Sequence, residues 1–246
     1  MAKLPERPRR RRVAVIALGA GVAVIALAFA LAYFVLFPTS SPKPFKLTST
    51  TASTASTATS PTGSITQLAG RWTIAGGSQA GYRVREKLAF LPAQSDAVGR
   101  TSSITGAATF TESKGTLTVT AASFDVAVNT LKSDRSMRDE KIHTIGLESD
   151  RYPTATFVLS TPLTLPASVL AGHVAHASVT GVFDIHGTST RETIPAEFSS
   201  SGSTIEVAGS LTFPWSEFGM TAPSVGGFVN VTGKATMEFD LRLQRA

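Results

Sequence analysis

The residues of this 246-residue chain with the greatest chemical capacity lie between 134 and 151. There His143 stands among Asp134, Arg138, Asp139, Glu140, Glu148, Asp150 and Arg151. A histidine beside carboxylates has the parts of a general base and the acid that orients it. The same residues also pair at four-residue spacing, Asp134 with Arg138 and Asp139 with His143, as an exposed helix face would pair them without any reaction. His173-Val174-Ala175-His176 offers two metal ligands. On a strand, however, positions i and i+3 point to opposite faces, and no third ligand stands nearby. His186 shares a strand face with Val182 and Asp184, opposite Phe183 and Ile185, which reads as a surface position beside a turn. Ser216 has no identifiable base, and no G-x-S-x-G elbow occurs. The chain has no cysteine, so thiolate nucleophiles, thiolate metal sites and disulfides are excluded. The sequence therefore assigns no catalytic residue and no metal ligand, and it requires no cofactor.

The elements that would carry these residues are mostly strands. SDRSMRDEKIHTIG, residues 133–146, is the one helix candidate after residue 69, with Ser133 as N-cap, Asp134 in the first turn and Gly146 as the stop. Its charges are most simply a solvated face. Pro153 ends any helix and opens the strand TATFVLS. From about Ala69 period two dominates, most clearly in VNVTGKATMEFDLRLQ, residues 229–244. Val229, Val231, Gly233, Ala235, Met237, Phe239, Leu241 and Leu243 take one face there, and polar residues take the other. Residues 116–128, 154–160, 177–187 and 204–213 alternate in the same way, with turn formers between them. Many strands without interleaved helices predict an antiparallel barrel or sandwich.

The N-terminal quarter is different. Of the 23 Lys/Arg and 17 Asp/Glu, residues 1–68 hold eight and one, which leaves 15 and 16 for the remainder. The net charge of +6 is thus confined to the N-terminus, and a near-neutral domain gives no field for nucleic acid. Residues 1–12 form a basic tail, and Val13 to Phe37 is an uncharged run of 25 residues. At about 1.5 Å per residue it makes roughly 37 Å of helix, enough to span a bilayer core of about 30 Å. The flanking arginines place the N-terminus in the cytoplasm and everything after Phe37 outside. Ala28-Phe29-Ala30 resembles a signal-peptidase site, but the apolar run continues well past it, which favours an uncleaved single-pass anchor in the cell membrane. Residues 38–68, rich in Ser, Thr, Ala and Pro, read as a disordered stalk with a mean reach of roughly 30 Å. Residues 69–246 are then the folded domain.

Within that domain SDRSMRDEKIHTIGLESDRYPTATFVLS, VTGVFDIHGTSTRETIPAEF and SEFGM, followed by the last alternating strand, resemble the YceI-like lipid-binding family over roughly residues 72–243. The specific pieces are Arg138-Asp139, Tyr152 to Phe157, Gly181 to Thr188 and Glu217 to Met220. The resemblance implies an extended lipocalin-like, eight-stranded antiparallel β-barrel with one short helix, whose interior holds a long isoprenoid chain. The chain differs from many members at Ala75 to Ala80 and at Tyr82 to Glu86, where head-group contacts are implied.

The aromatic residues fit such an interior. Phe110, Phe124, Phe157, Phe183, Phe213 and Phe239 are spread along the strands, and Met237 joins them on the inward face. Phe218 and Met220, near the expected rim, are the positions best placed for a flexible ligand, since methionine adapts its shape. Two functions remain. One is an extracytoplasmic, membrane-anchored binding or carrier protein for an isoprenoid lipid, a quinone or polyprenyl chain. The other is a hydrolase or isomerase acting on such a lipid. The lack of a nucleophile, base and orienting group favours the first, with the lipid and the membrane as partners and a homodimer left open.

Overall fold

The structure, a computed structural model, describes residues 41–47, 68–89, 94–113, 116–166, 168–169, 172–201, 203–227 and 229–246. The basic tail at 1–12, the apolar run at 13–37, most of the 38–68 linker and Phe228 lie outside the described residues. Among the described residues no helix is long and apolar enough to cross a membrane. The chain divides into two compact units, Met1–Ser41 and Pro42–Ala246, and everything below concerns the second.

Alternating side chains set up antiparallel pairing throughout. The described strands are β1 (Gly70–Ile74), β2 (Gln79–Leu88), β3 (Gln94–Thr101), β4 (Ile104–Ser113), β5 (Thr116–Ala127), β6 (Lys132–Ser133) and β7 (Thr154–Leu159). They continue with β8 (Leu163–Leu165), β9 (Ala175–Ile185), β10 (Thr188–Ser201), β11 (Thr204–Phe213), β12 (Ser224–Val225) and β13 (Val229–Arg245). Eight strands run in the order β1, β4, β5, β7, β9, β10, β11, β13. The ladder Trp72 opposite Arg245 to Ile74 opposite Leu243 joins β13 back to β1 and closes the eight-stranded barrel expected from the sequence. The same edge of β13 pairs over Val229–Asp240 with β2, from which β3 and β6 extend as a flap beyond the closed ring.

Along β13 the predicted alternation holds from Ala235 onward, with Ala235, Leu241 and Leu243 buried and Arg242 and Gln244 exposed, but it breaks at a bulge between Thr232 and Ala235, where Gly233, expected on the inward face, is exposed with φ of 73°. On β5 the alternation changes phase. Ala121 faces Thr109 and Val119 faces Phe110, so Thr120 is an extra residue in the ladder. That bulge lets Leu117 and Val119 face inward on one side of it and Ala122, Phe124 and Val126 on the other.

The helix starts two residues later than its sequence suggests, with Arg135 in place of Ser133 at the N-cap position. α1 covers Ser136–Lys141 and continues as one π-helical turn, Ile142–Gly146. Ser133 is not its cap; it lies in β6, where its N–H and hydroxyl both donate to Asp139 Oδ1 at 2.8 and 2.7 Å. Asp139 is consequently buried rather than paired with His143 on an exposed face. Arg138 also turns inward, donating to Glu86 on β2 at 2.6 Å and pairing with Asp134. The charges of this segment are therefore not one solvated face, because Arg138 and Asp139 fasten the helix to the flap.

Part of the range assigned to a disordered stalk lies against the barrel. Arg83 and Arg100 donate to the carbonyls of Pro42 and Lys43, each at 2.6 Å. The Arg100 guanidinium sits 3.9 Å from the centre of the Phe45 ring, and the Leu47 N–H donates to Glu197 at 2.7 Å. From β2 and β3 to β10 this strap must cross β13 and β11. The residues beneath it explain why it stays: Glu238 and Ala208 point outward from the barrel yet are buried.

Candidate functional site

The inward faces enclose a cavity of about 100 Å³, with lining residues from seven of the eight barrel strands and from β2 and β8. Among the described residues Thr156 is the only one lining it with a polar side chain, and none that line it is titratable. Such a space has nothing to bind a charge or to activate a bond. It can only take apolar groups out of water, favourable by roughly 25 cal/mol per Å² buried.

Aromatic packing that follows from strand register flanks this space at two levels. At the β1 end Trp72 meets Phe110 edge to face at 6.2 Å, and its indole N–H donates to the Leu68 carbonyl at 2.9 Å. At the other end Phe213, opposite Ala235, meets Phe218 at 4.7 Å. Phe218 enters on the 3-10 turn Trp215–Phe218 that follows β11, stopped by Gly219 in the left-handed region, and Met220 is buried beside it. Between these plugs Phe157 is stacked on Phe124 at 6.5 Å and tilted against Phe183 at 4.8 Å.

Of the residues singled out from the sequence, Phe110, Phe124, Phe157, Phe183, Met237 and Phe239 line the cavity together. Phe213, Phe218 and Met220 do not; Phe218 is 0% exposed and belongs to the plug, although the rim had seemed the best place for a ligand. The sequence reading missed the aliphatic wall, including Ala80, Ala122, Val126, Leu159, Val207 and Leu241. The signal for these was present as strand phase, since each stands on the inward parity of an alternating segment.

A second group of polar residues lies beside α1, outside the cavity lining. Tyr82 is buried with its hydroxyl unpartnered, and burial pushes its pKa far above the ordinary phenol range. Burial pulls the Arg138 pKa down, but the hydrogen bond and charge of Glu86 outweigh it and the guanidinium stays charged. Glu86 and Arg138 thus form a buried ion pair that fastens the helix and leaves no free acid or base.

The histidines resolve differently from their sequence reading. His143 Nδ1 is hydrogen-bonded to Ser149 Oγ at 2.6 Å, with Asp150 at 3.8 Å. This set has the composition of a catalytic triad, but Ser149 is 0% exposed and Nδ1 is shared between serine and carboxylate, so the hydroxyl cannot reach a substrate. His186 is not a surface residue; its side chain is 10% exposed and its ring lies 4.3 Å from that of Tyr152. Glu148 approaches its Nε2 at 3.4 Å, and both residues adopt left-handed backbone, with φ of 56° and 47°. This contact pins the loop after the π-turn to the β9–β10 hairpin. His176 is 75% exposed at the start of β9, and among the described residues no three His, Cys, Asp or Glu are grouped to hold a metal.

Comparison with known proteins agrees with this architecture. The model of the YceI-like domain matches residues 48–243. No curated protein sequence matches. Among solved structures, a polyisoprenoid-binding domain from Saccharophagus degradans implicated in plant cell wall breakdown is 14% identical, with 71% of this chain and 98% of that chain covered and a TM-score of 0.53. BcnA of Burkholderia cenocepacia is 19% identical over 69% of this chain and 98% of its own, with a TM-score of 0.49. At 14% identity the likeness to the Saccharophagus domain is one of fold.

Proposed function

The chain belongs to the YceI-like domain family, and from that premise we propose that it binds or carries an isoprenoid lipid, a quinone or polyprenyl chain, in the interior of its barrel. The observation that carries this reading is the apolar lumen, in which Thr156 has the single polar side chain among the described residues. A prenyl tail suits its chemistry, being flexible and uncharged: each buried methylene-sized group contributes about 0.8 kcal/mol, and about 100 Å³ takes a short stretch of such a tail, the remainder requiring the wall to give way. The family fold and the polyisoprenoid binding of the Saccharophagus domain support the same choice. The chain acts without chemistry in this reading, because the lumen offers a tail no nucleophile, acid or base.

The apolar run at 13–37 and its basic flank support a second element of the proposal, an uncleaved anchor that keeps the barrel outside the cytoplasmic membrane. Organic extraction and mass spectrometry of the purified full chain test the ligand. An isoprenoid in stoichiometric amount is expected, whereas a chain that carries no lipid and takes up no prenyl alcohol after delipidation overturns the reading. Protease added to intact spheroplasts tests the anchor: the barrel should be lost and a membrane stub retained, and protection of the barrel overturns that topology.

A further inference from the structure

Two barrel-wall glycines whose φ is not positive face aromatic rings of the lumen. Gly209 on β11 lies directly opposite Phe239 on β13. A Cβ built on Gly209 would meet Phe239 Cζ at 2.7 Å, with the Pro195 carbonyl next at 3.1 Å. Gly181 on β9 is diagonal to Phe157 on β7, whose register partner is Phe183. A Cβ there would meet Phe157 Cε2 at 2.1 Å and Cζ at 2.6 Å. Neither glycine is in the left-handed region, so backbone conformation does not demand glycine at either site.

The direction of the two rings follows from these contacts. Neighbouring strands are about 4.8 Å apart, a span close to the distance from a phenylalanine Cβ to the tip of its ring. A ring tip that occupies the missing side chain of the adjacent strand therefore extends sideways over the wall and does not cross the barrel. Both phenylalanines line the cavity, and space remains beside them.

We infer that Gly209 and Gly181 set the bore of the lumen by seating the rings of Phe239 and Phe157 against the wall, which keeps the space beside them open to an apolar guest. The identity of that guest rests on the isoprenoid reading above; the bore does not. An alanine at Gly209 takes the space of the ring tip, and Phe239 must then swing inward, where Met237, two residues earlier on the same face of β13, also stands.

The test uses the detergent-solubilised full chain with methyl-labelled methionine. Met237 lines the lumen and reports its occupancy, and Met220 in the plug serves as the internal control. Xenon, a small apolar probe, is titrated first, and farnesol second. In the unsubstituted chain both should move the Met237 methyl signal. Gly209→Ala should weaken both responses at least tenfold, and Gly209→Ala combined with Phe239→Ala should restore them. A response of Gly209→Ala equal to that of the unsubstituted chain overturns the inference, and so does a Met237 signal that xenon never moves. Xenon binding without farnesol binding sinks the isoprenoid reading and leaves the inference standing. If Gly209→Ala does not fold, Phe239→Leu decides: it should strengthen the xenon response severalfold, and an unchanged or weaker response overturns the inference.

Discussion

Arg100 Nη2 lies 2.9 Å from Glu238 Oε1 on the outside of the barrel, where that carboxylate is only 2% exposed. Arg83 approaches the other oxygen at 3.2 Å and Asp96 at 3.3 Å, while the carbonyls of Pro42 and Lys43 take further N–H groups of the two arginines. A charged residue on the outward face of β13 is thereby desolvated by the chain's own strap and compensated by two cations. Without Glu238 the half-buried Arg100 loses its carboxylate, although Arg83 keeps Asp96, and breaking a buried pair from one side costs about 3 to 5 kcal/mol. Glu238→Ala should lose about that much in urea unfolding, and a change below 1 kcal/mol would show that the cluster is solvated.

His143→Ala should be destabilising although His143 has no catalytic part. The substitution strands the Ser149 hydroxyl in a fully buried position, and an unsatisfied buried group costs about 1 to 3 kcal/mol. An exposed histidine would give a change within about 0.5 kcal/mol. Thermal unfolding of the variant separates the two cases, and lipid binding should be the same in both proteins.

Asp240, outward on β13, has one carboxyl oxygen buried without a partner. Burial raises its pKa above the ordinary 3.8, with Arg242 opposing the shift and Glu206 adding to it. The folded state therefore favours the protonated acid. This group supports folding fully below pH 3.8 and loses that support as pH rises through its raised value. Asp240→Asn, which cannot ionise, should be more stable than the parent at pH 7, and the difference should vanish near pH 3.5. A variant less stable than the parent at pH 7 would contradict this sign.

Val207→Trp should fill the lumen from the β11 wall, since Val207 lines the cavity and is not fully packed. The added volume is expected to cost about 1 to 3 kcal/mol in strain. Circular dichroism should still report an all-β protein, and mass spectrometry should find no co-purifying isoprenoid. Retention of the lipid at the parent level would place it outside the barrel. Ala235→Trp is a poorer choice, because Ala235 faces Phe213 in the plug and not the cavity.

The barrel was legible in the sequence because a half-buried strand records its own orientation in every second residue. From Val229 to Arg245 that record is nearly unbroken, and it named Met237 and Phe239 as inward residues without any knowledge of their neighbours. The family motifs identified the fold for the same local reason. What alternation cannot encode is how far an inward residue lies along the barrel axis. Phe213 and Phe218 are as apolar as Phe157, and only the register of β11 against β13 with the turn that follows β11 places the first two in a plug, while the register of β7 against β9 places the third beside the lumen. Nor does local sequence show which charges become buried. Arg138 and Asp139 have the composition of a solvated helix face, and they turn inward because β2 and β6, some 50 and 6 residues away, present Glu86 and Ser133 to them. Glu238 obeys the alternation and still ends up dry, because a strap nearly two hundred residues earlier in the chain folds over it. Periodicity is a property of one strand and could be read in advance. Depth, plugging and burial of charge depend on pairs distant in sequence, and the tertiary structure alone decided them.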